Sequence, residues 1–451
     1  MSSLSYPSVK QYPLSMSGTG GIVGGLNFQS AGNESAWYNY LEQGAGGYEQ
    51  WFGVSVEDGA DGYIYCSGRT NAAGQGGLEG LVAKYDKDGV IQWQRLIGIS
   101  ANDHISGNDF DSSGNMYTGG YQTTDYYATY IKYNSSGTLQ FAKDYYPTGY
   151  GCLGASTLVA KKDGGTSIYQ CGYITSTQGG YLVKLTDAGG YTWARQIRAP
   201  GNGNVEMVDI ADDSSGNIYG TGHVAISGEH HIFTVKYNSS GTLQWARELD
   251  QSSNGSGNGI ATDSNDNVYI MGANSANGNG VMMKRNSSGT LQWQKEVINV
   301  SGKGVAVGPD NSIYFLGQPS GGKMWIGKLN AAGTLQWQAT WSSTDSSTEN
   351  LSRSQIRVSN KSIYIANKTT LGNDPALLLK LPTDGDKAGV MDSGNYVYGD
   401  WLYTLDGYTI NTMTYTDSAW TPGTEQSVTM NFDNWGATGA TPTFTSTTTD
   451  I

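Results

Sequence analysis

A ten-residue unit, Lys-Tyr-Asn-Ser-Ser-Gly-Thr-Leu-Gln-Trp, stands at 236–245 and keeps returning along the chain. It recurs at 132–141 with Phe141 in place of the tryptophan, and at 284–293 with Arg285 in place of the tyrosine. Looser copies run from Lys84 to Trp93, from Lys184 to Trp193 and from Lys328 to Trp337. A seventh lysine, Lys380, opens Lys-Leu-Pro-Thr-Asp-Gly-Asp, and no tryptophan follows it. The seven lysines, Lys84, Lys132, Lys184, Lys236, Lys284, Lys328 and Lys380, lie 44 to 52 residues apart. Each period must then be one supersecondary unit that buries its apolar surface against the next copy, which excludes most single-core folds.

A second element recurs in each period: an apolar residue, a tyrosine and usually a glycine shortly after. Its tyrosines are Tyr65, Tyr117, Tyr169, Tyr219, Tyr269, Tyr314 and Tyr364. Polar turns such as Asp-Ser-Ser-Gly-Asn (111–115 and 213–217) or Asp-Ser-Asn-Asp-Asn (263–267) precede them. Each period therefore contains a first strand, a turn, a Tyr strand, a variable loop, a Lys strand, an Asn-Ser-Ser-Gly-type turn and a Trp strand. Four short strands in such a period describe a propeller blade. The second turn suits a type I turn closed by a left-handed glycine, with Gly137, Gly241, Gly289 and Gly333 where φ must be positive. A regular hairpin in that register sets Lys132 opposite Gln140.

The Lys and Tyr strands each occur seven times, but only six of the lysines are followed by an aromatic strand: Trp93, Phe141, Trp193, Trp245, Trp293 and Trp337. A seventh aromatic segment, Ser-Ala-Trp-Tyr-Asn-Tyr-Leu with Trp37, lies at 35–41, before the first Tyr unit. The economical solution is ring closure, in which 35–41 supplies the outer strand of the last blade and no free sheet edge is left between the chain ends. The expected fold is all-β, a seven-bladed β-propeller over 35–389, with an extended N-terminal arm at 1–34 and a small C-terminal β-rich docking segment at 390–451. The Lys and Trp positions are expected to be structural, each lysine stem lying along its blade with the ammonium near a tyrosine, a glutamine or a carbonyl.

The Gly-Asn, Ile-Tyr-Gly and Lys–Gly–Trp elements resemble the SBBP repeats, β-propeller repeats of bacteria and phages, over about 35–389. Similar repeats occur in bacterial surface proteins and in structural proteins of tailed phages, including those of marine cyanobacteria. The resemblance implies a propeller and carries no catalytic residue. The seventh unit departs from the pattern, since Ser-Ile-Tyr-Ile-Ala-Asn lacks the glycine and Pro-Thr-Asp replaces the usual turn.

Composition agrees with this reading. Glycine (65 of 451), 31 tyrosines and 12 tryptophans favour turns and strands over long helices. A net charge of −13 opposes binding of a phosphate backbone, so no nucleic-acid partner is expected. Cys66, Cys152 and Cys171 lack metal spacing and read as buried small residues, a Cys152–Cys171 bridge being the one pairing open to them. The N-terminus carries no export signal and no segment has the apolar length of a membrane span, so the expectation is synthesis in a host cytoplasm.

Chemistry is sparse. Gly-Glu-His-His at 228–231 reads as a solvated loop, because a metal site needs further ligands in reach. The first strands contain small apolar runs such as 53–56, 259–262 and 304–307, with Asp109, Glu206 and Asp209 as exceptions that form no repeated ring. No catalytic, cofactor or metal site is expected, and the protein is not expected to be an enzyme. The function expected is that of a phage virion structural protein, in the tail, on a fibre or on the capsid surface. Its terminal segments would meet other virion proteins, copies of itself would share the assembly as a homo-oligomer, and its propeller would meet a partner or a host-surface glycan or protein. The alternative is a bacterial cell-surface adhesin or carbohydrate-binding propeller, with Tyr126, Tyr127, Tyr146 and Tyr150 stacking on sugars.

Overall fold

The computed structural model describes residues 37–42 and 49–383, apart from short loops such as 161–166, 344–355 and 369–375, and beyond 389 the strands alone. Seven sheets stand around a common axis, each built on four antiparallel strands. The first comprises Glu49–Val56, Ile64–Thr70, Glu79–Tyr85 and Ile91–Ile97, and the pattern repeats in chain order through five more blades. The seventh holds Ile356–Ser359, Ser362–Lys368 and Ala376–Pro382, and its fourth strand is Trp37–Glu42. Trp37 pairs with Lys380 and Leu41 with Ala376, so the ring closes where the sequence places its seam.

The core is seven separate layers, each between two neighbouring blades. One holds Trp51, Val54 and Leu81 of the first blade against Tyr364, Ala376 and Leu378 of the seventh. The rest continue round the ring, ending with Leu316 and Ile326 of the sixth blade against Ile363 and Leu379 of the seventh. Both faces of every central strand are thus buried, which is why the strands read as near-continuous apolar runs. The innermost strands crowd at the axis. A Cβ on Gly259 would stand 2.8 Å from the Cα of Gly304 in the next blade, so the small runs in these strands are a steric requirement of closure.

In the first six blades a β-bulge interrupts the pairing of the innermost strand, as between Met207 and Asp209 in the fourth. A second bulge lies in the outer hairpin of the same blades, and here the expected register is corrected. Lys132 pairs with Phe141 and Tyr133 with Leu139, leaving Gln140 as the extra residue. The extra residue turns the aromatic onto the same side of the sheet as the lysine, whereas a regular hairpin would turn it to the opposite side.

The C-terminal strands run back around the outside of the ring. Trp401–Thr404 pairs with the outer strand of the sixth blade, Ile410–Thr412 with that of the fifth and Thr416–Ala419 with that of the fourth. Thr424–Ser427 continues on the third and Met430–Asn434 on the second, and Thr445–Asp450 joins Trp37–Glu42 in the seventh. The reverse order has a geometric cause. Neighbouring strands are rotated by about 20–25°, so a fifth strand has turned by about 80–100° from the axial first strand and follows the girdle. A strand antiparallel to the outer one then leads to the preceding blade. Among the described residues the first blade alone lacks a fifth strand.

The seam makes a direct prediction. A chain beginning at Ser35 should melt in one cooperative step, whereas one beginning at Gln43 loses the fourth strand of the seventh blade. Calorimetry should show a lower, broader transition for the shorter chain, and proteolysis should cut first within 356–383. Matching melts for the two chains would disprove closure by Trp37–Glu42.

Candidate functional site

The two ends of the propeller differ in kind. One end carries the short repeated turns, and there the Lys and Trp positions form a lock. In every blade a tyrosine of the second strand, a lysine of the third and an aromatic of the fourth stand in one cross-strand row, as in Tyr219, Lys236 and Trp245. The equivalent row of the seventh blade is Tyr364, Lys380 and Trp37 by backbone register. Each lysine ammonium sits 4.9–5.9 Å from the ring centre of its tyrosine.

The same ammonium donates to a backbone carbonyl in the turn of the next blade. Lys84 reaches Ser135 O, Lys132 reaches Asp187 O, Lys184 reaches Ser239 O and Lys236 reaches Ser287 O. Lys284 reaches Ala331 O, Lys328 reaches Thr383 O, and Lys380 crosses the seam to Lys87 O, all seven at 3.0–3.4 Å. The indole N–H groups of Trp93, Trp193, Trp245, Trp293 and Trp337 donate to the same carbonyls as the lysines of their own blades, at 3.1–3.3 Å. Phe141 has no such donor, and in its blade the Tyr130 hydroxyl donates to Thr186 O at 2.9 Å.

The polar turns are likewise satisfied from within. Asp213 accepts from the backbone of Ser215 and Asn217, from the Asn217 side chain and from the Tyr219 hydroxyl, and Lys236 lies 3.1 Å away. Burial raises its pKa, but these hydrogen bonds and Lys236 outweigh burial and hold it below the ordinary value. Cys66, Cys152 and Cys171 are buried free thiols, with no bridge between the last two.

This lock explains the turn glycines and gives a matched test. Gly241 has φ +76°, and a Cβ there would meet the Trp193 ring of the preceding blade at 2.8 Å. Gly216 has φ +74° but open space around its would-be Cβ. Gly216→Ala should cost about 1–2 kcal/mol, the left-handed penalty alone. Gly241→Ala should cost about 1–3 kcal/mol more, from overpacking against the indole. Denaturant titrations of the two variants give the difference, and equal losses would mean that the indole does not bear on the turn.

The opposite end holds the blade-to-blade connections and the variable loops, and its described side chains repeat little, the bonds from the Leu78 and His230 backbone N–H groups to Asn102 and Asn254 being a matching pair. Between the fourth and fifth blades it opens into a cavity of about 280 Å³, lined by residues including Glu206, Val208, His223, His230, Asn254 and Asn258. Glu206 pairs with His223 across two strands of the fourth blade, and Val208 is the residue displaced by the inner bulge. The rings of His223 and His230 stack at 4.6 Å and 8°, and Asn254 of the fifth blade accepts from the His230 backbone N–H at 2.9 Å. A carboxylate, two imidazoles and several amides thus converge on one polar recess, whose make-up suits a hydroxyl-rich or otherwise polar ligand.

The expected solvated loop at 228–231 is corrected by the fold. The turn is only Ser227 and Gly228, both at positive φ, and Glu229–Tyr237 is a strand. His231 is buried and its Nδ1 lies 3.2 Å from Glu248 Oε2. His104 and His223, which lack partners in the sequence, have them in space: Arg69 Nη1 lies 2.8 Å from His104 Nδ1, and His104 stacks on Tyr121. Asp209, one of the three acidic exceptions, ties blades together by accepting from Ser156 Oγ and from the Ile260 backbone N–H. Burial raises its pKa, against the opposing pull of Arg357 and these hydrogen bonds.

At the variable end of the second blade, Tyr126 is 48 % exposed at φ 56°, and Tyr127 stacks on Tyr146 at 3.8 Å. Tyr150 lies outside the described residues.

Residues 244–279 match the SBBP β-propeller repeat, a stretch that runs from the outer strand of the fourth blade to the third strand of the fifth. No curated protein sequence matches the chain. Among solved structures, the Dos1 propeller is similar at 11% identity with a TM-score of 0.42, over 70% of this chain and 74% of that one. The polysaccharide lyase Uly1 is similar at 7% identity with a TM-score of 0.43, over 73% of this chain and 89% of that one. The fold, a β-propeller, is one that serves protein–protein and ligand binding.

Proposed function

We propose that this chain is a structural protein of a tailed-phage particle, and that the variable end of its propeller holds a partner, either another virion protein or a host-surface molecule. The observation that carries the binding reading is the inequality of the two ends. At one end the turns are consumed by repeated hydrogen bonds to the preceding blade. At the other, where no side-chain bond is kept right round the ring among the described residues, lie the recess of Glu206, His223 and His230 and the exposed Tyr126. Residues under a repeat constraint build the ring; residues free of it are available for recognition. The virion setting is supported by the resemblance of the repeats and by terminal strands that meet on the seventh blade, a compact arrangement for a component held in an assembly. Mass spectrometry of purified particles should find this chain at structural copy number, and its absence from them would remove the virion setting.

A second reading, recognition of a surface carbohydrate, is favoured by the paired Tyr127 and Tyr146 rings beside exposed Tyr126. Flat aromatic faces next to polar groups suit sugar rings. Glycan-array binding by the full chain should fall at least about tenfold, the loss of ~1.4 kcal/mol, in either Tyr126→Ala or His230→Ala. Binding unchanged in both variants would place any glycan contact elsewhere.

A further inference from the structure

We propose that Glu229, His231 and Asp250 form a site for a divalent first-row transition metal ion, with zinc the best match to its donors. The site lies on the fourth blade, at the outer corner of its variable end. The two-residue turn at Ser227 and Gly228 makes Glu229 the first residue of the third strand. Glu229 and His231 are two apart and so share one face of the sheet. Ile232 pairs with Leu249 and Phe233 with Glu248, and this register brings Glu248 and Asp250 of the outer strand onto that same face. One ligand atom from each of Glu229, His231 and Asp250 lies within 4.8 Å of the others.

The chemistry of the histidine is the second observation. Its side chain is buried, with Nδ1 3.2 Å from Glu248 Oε2 and Nε2 3.6 Å from Asp250 Oδ1. A neutral imidazole has a single N–H. When Nδ1 gives it to Glu248, the Nε2 lone pair is turned toward the Asp250 carboxylate. The 3.6 Å between Nε2 and Asp250 Oδ1 is longer than a hydrogen bond. A cation beside both would be met by a nitrogen lone pair and a carboxylate oxygen at once. A carboxylate that holds the far nitrogen of a metal-bound histidine is the usual second support of such ligands, and Glu248 stands in that place.

The donor set selects the ion. One imidazole nitrogen and two carboxylate oxygens, with a fourth position toward solvent, suit zinc. Calcium and magnesium call for oxygen ligands throughout. Tetrahedral ligands about 2.1 Å from zinc stand about 3.4 Å apart, which rotation of the exposed Glu229 side chain can bring about. That exposure also gives the ion its way in. The bound ion would join the third and outer strands where Thr416–Ala419 adds its backbone to the blade.

The test uses the full chain after treatment with a chelator. Titration with zinc chloride should give saturable calorimetric binding and a rise in melting temperature, and calcium chloride at the same concentration should give neither. Asp250→Asn and Glu229→Gln alter side chains that are partly or fully exposed, so both variants should fold as the parent does, and each should weaken zinc binding at least about tenfold. Glu248→Gln should weaken it about 10- to 100-fold. Absence of zinc binding by the parent chain would overturn the site. Equal binding by Asp250→Asn and Glu229→Gln would overturn it as well.

Discussion

The hydrogen bond from each repeated lysine to a turn carbonyl of the next blade is the constraint on which the ring depends. A blade is an antiparallel sheet whose two faces are both apolar, and non-directional apolar contact fixes only loosely how far one blade slides along its neighbour. The lysine fixes it. Its stem lies along the tyrosine of its own blade, and its charge ends on a carbonyl of the next, so the two sheets meet in one register. The indole N–H beside it donates to the same carbonyl, and the ring covers the left-handed glycine of the same turn. The bond from Lys380 to Lys87 closes the cycle by the same means used six times before. A charged hydrogen bond at a half-buried site is stronger than a neutral one, and an unmet ammonium there would be costly.

The outer bulge makes this arrangement geometrically available. In a regular hairpin the lysine and the aromatic of the next strand would fall on opposite faces. One extra residue turns them to the same face, and two donors then converge on one carbonyl. The second blade shows what is essential. With Phe141 in the aromatic position the packing survives, the lysine still reaches its carbonyl, and the missing donor is supplied by Tyr130 to a neighbouring carbonyl of the same turn.

Committing one end of the propeller to this lock leaves the other free to vary. Among the described residues the variable end keeps no side-chain bond in all seven blades, the Asn102 and Asn254 bonds recurring in two places only, so loop length and residue type change from blade to blade. The second blade gathers tyrosines there, and the fourth gathers three of the four histidines of the chain together with several carboxylates. The strand order of the C-terminal segment follows from the same geometry. Accumulated twist lays the blade edges along the girdle, and a chain returning antiparallel to them can only travel backwards around the ring.

Much of the fold was legible in the sequence because a repeat states its own rule several times. The Lys and Tyr strands occur seven times while the aromatic strand follows six of the lysines, and this mismatch is enough to join Trp37 to Lys380 across nearly the whole chain. The left-handed turn glycines were equally visible, since Asn-Ser-Ser-Gly has one favourable way to turn. The outer register was not. A bulge adds a residue without changing residue type, and only the packing of the aromatic against the next blade selects it. Gly-Glu-His-His at 228–231 reads as a loop in the sequence because a charged and polar run resembles one. What buries His231 is a neighbouring strand whose register no local pattern records. The sequence by itself determined the number of blades and the point of closure, because those depend on counting copies. Tertiary structure alone decided which unrepeated side chains meet, because contact between distant strands depends on twist, bulges and packing that act across the ring.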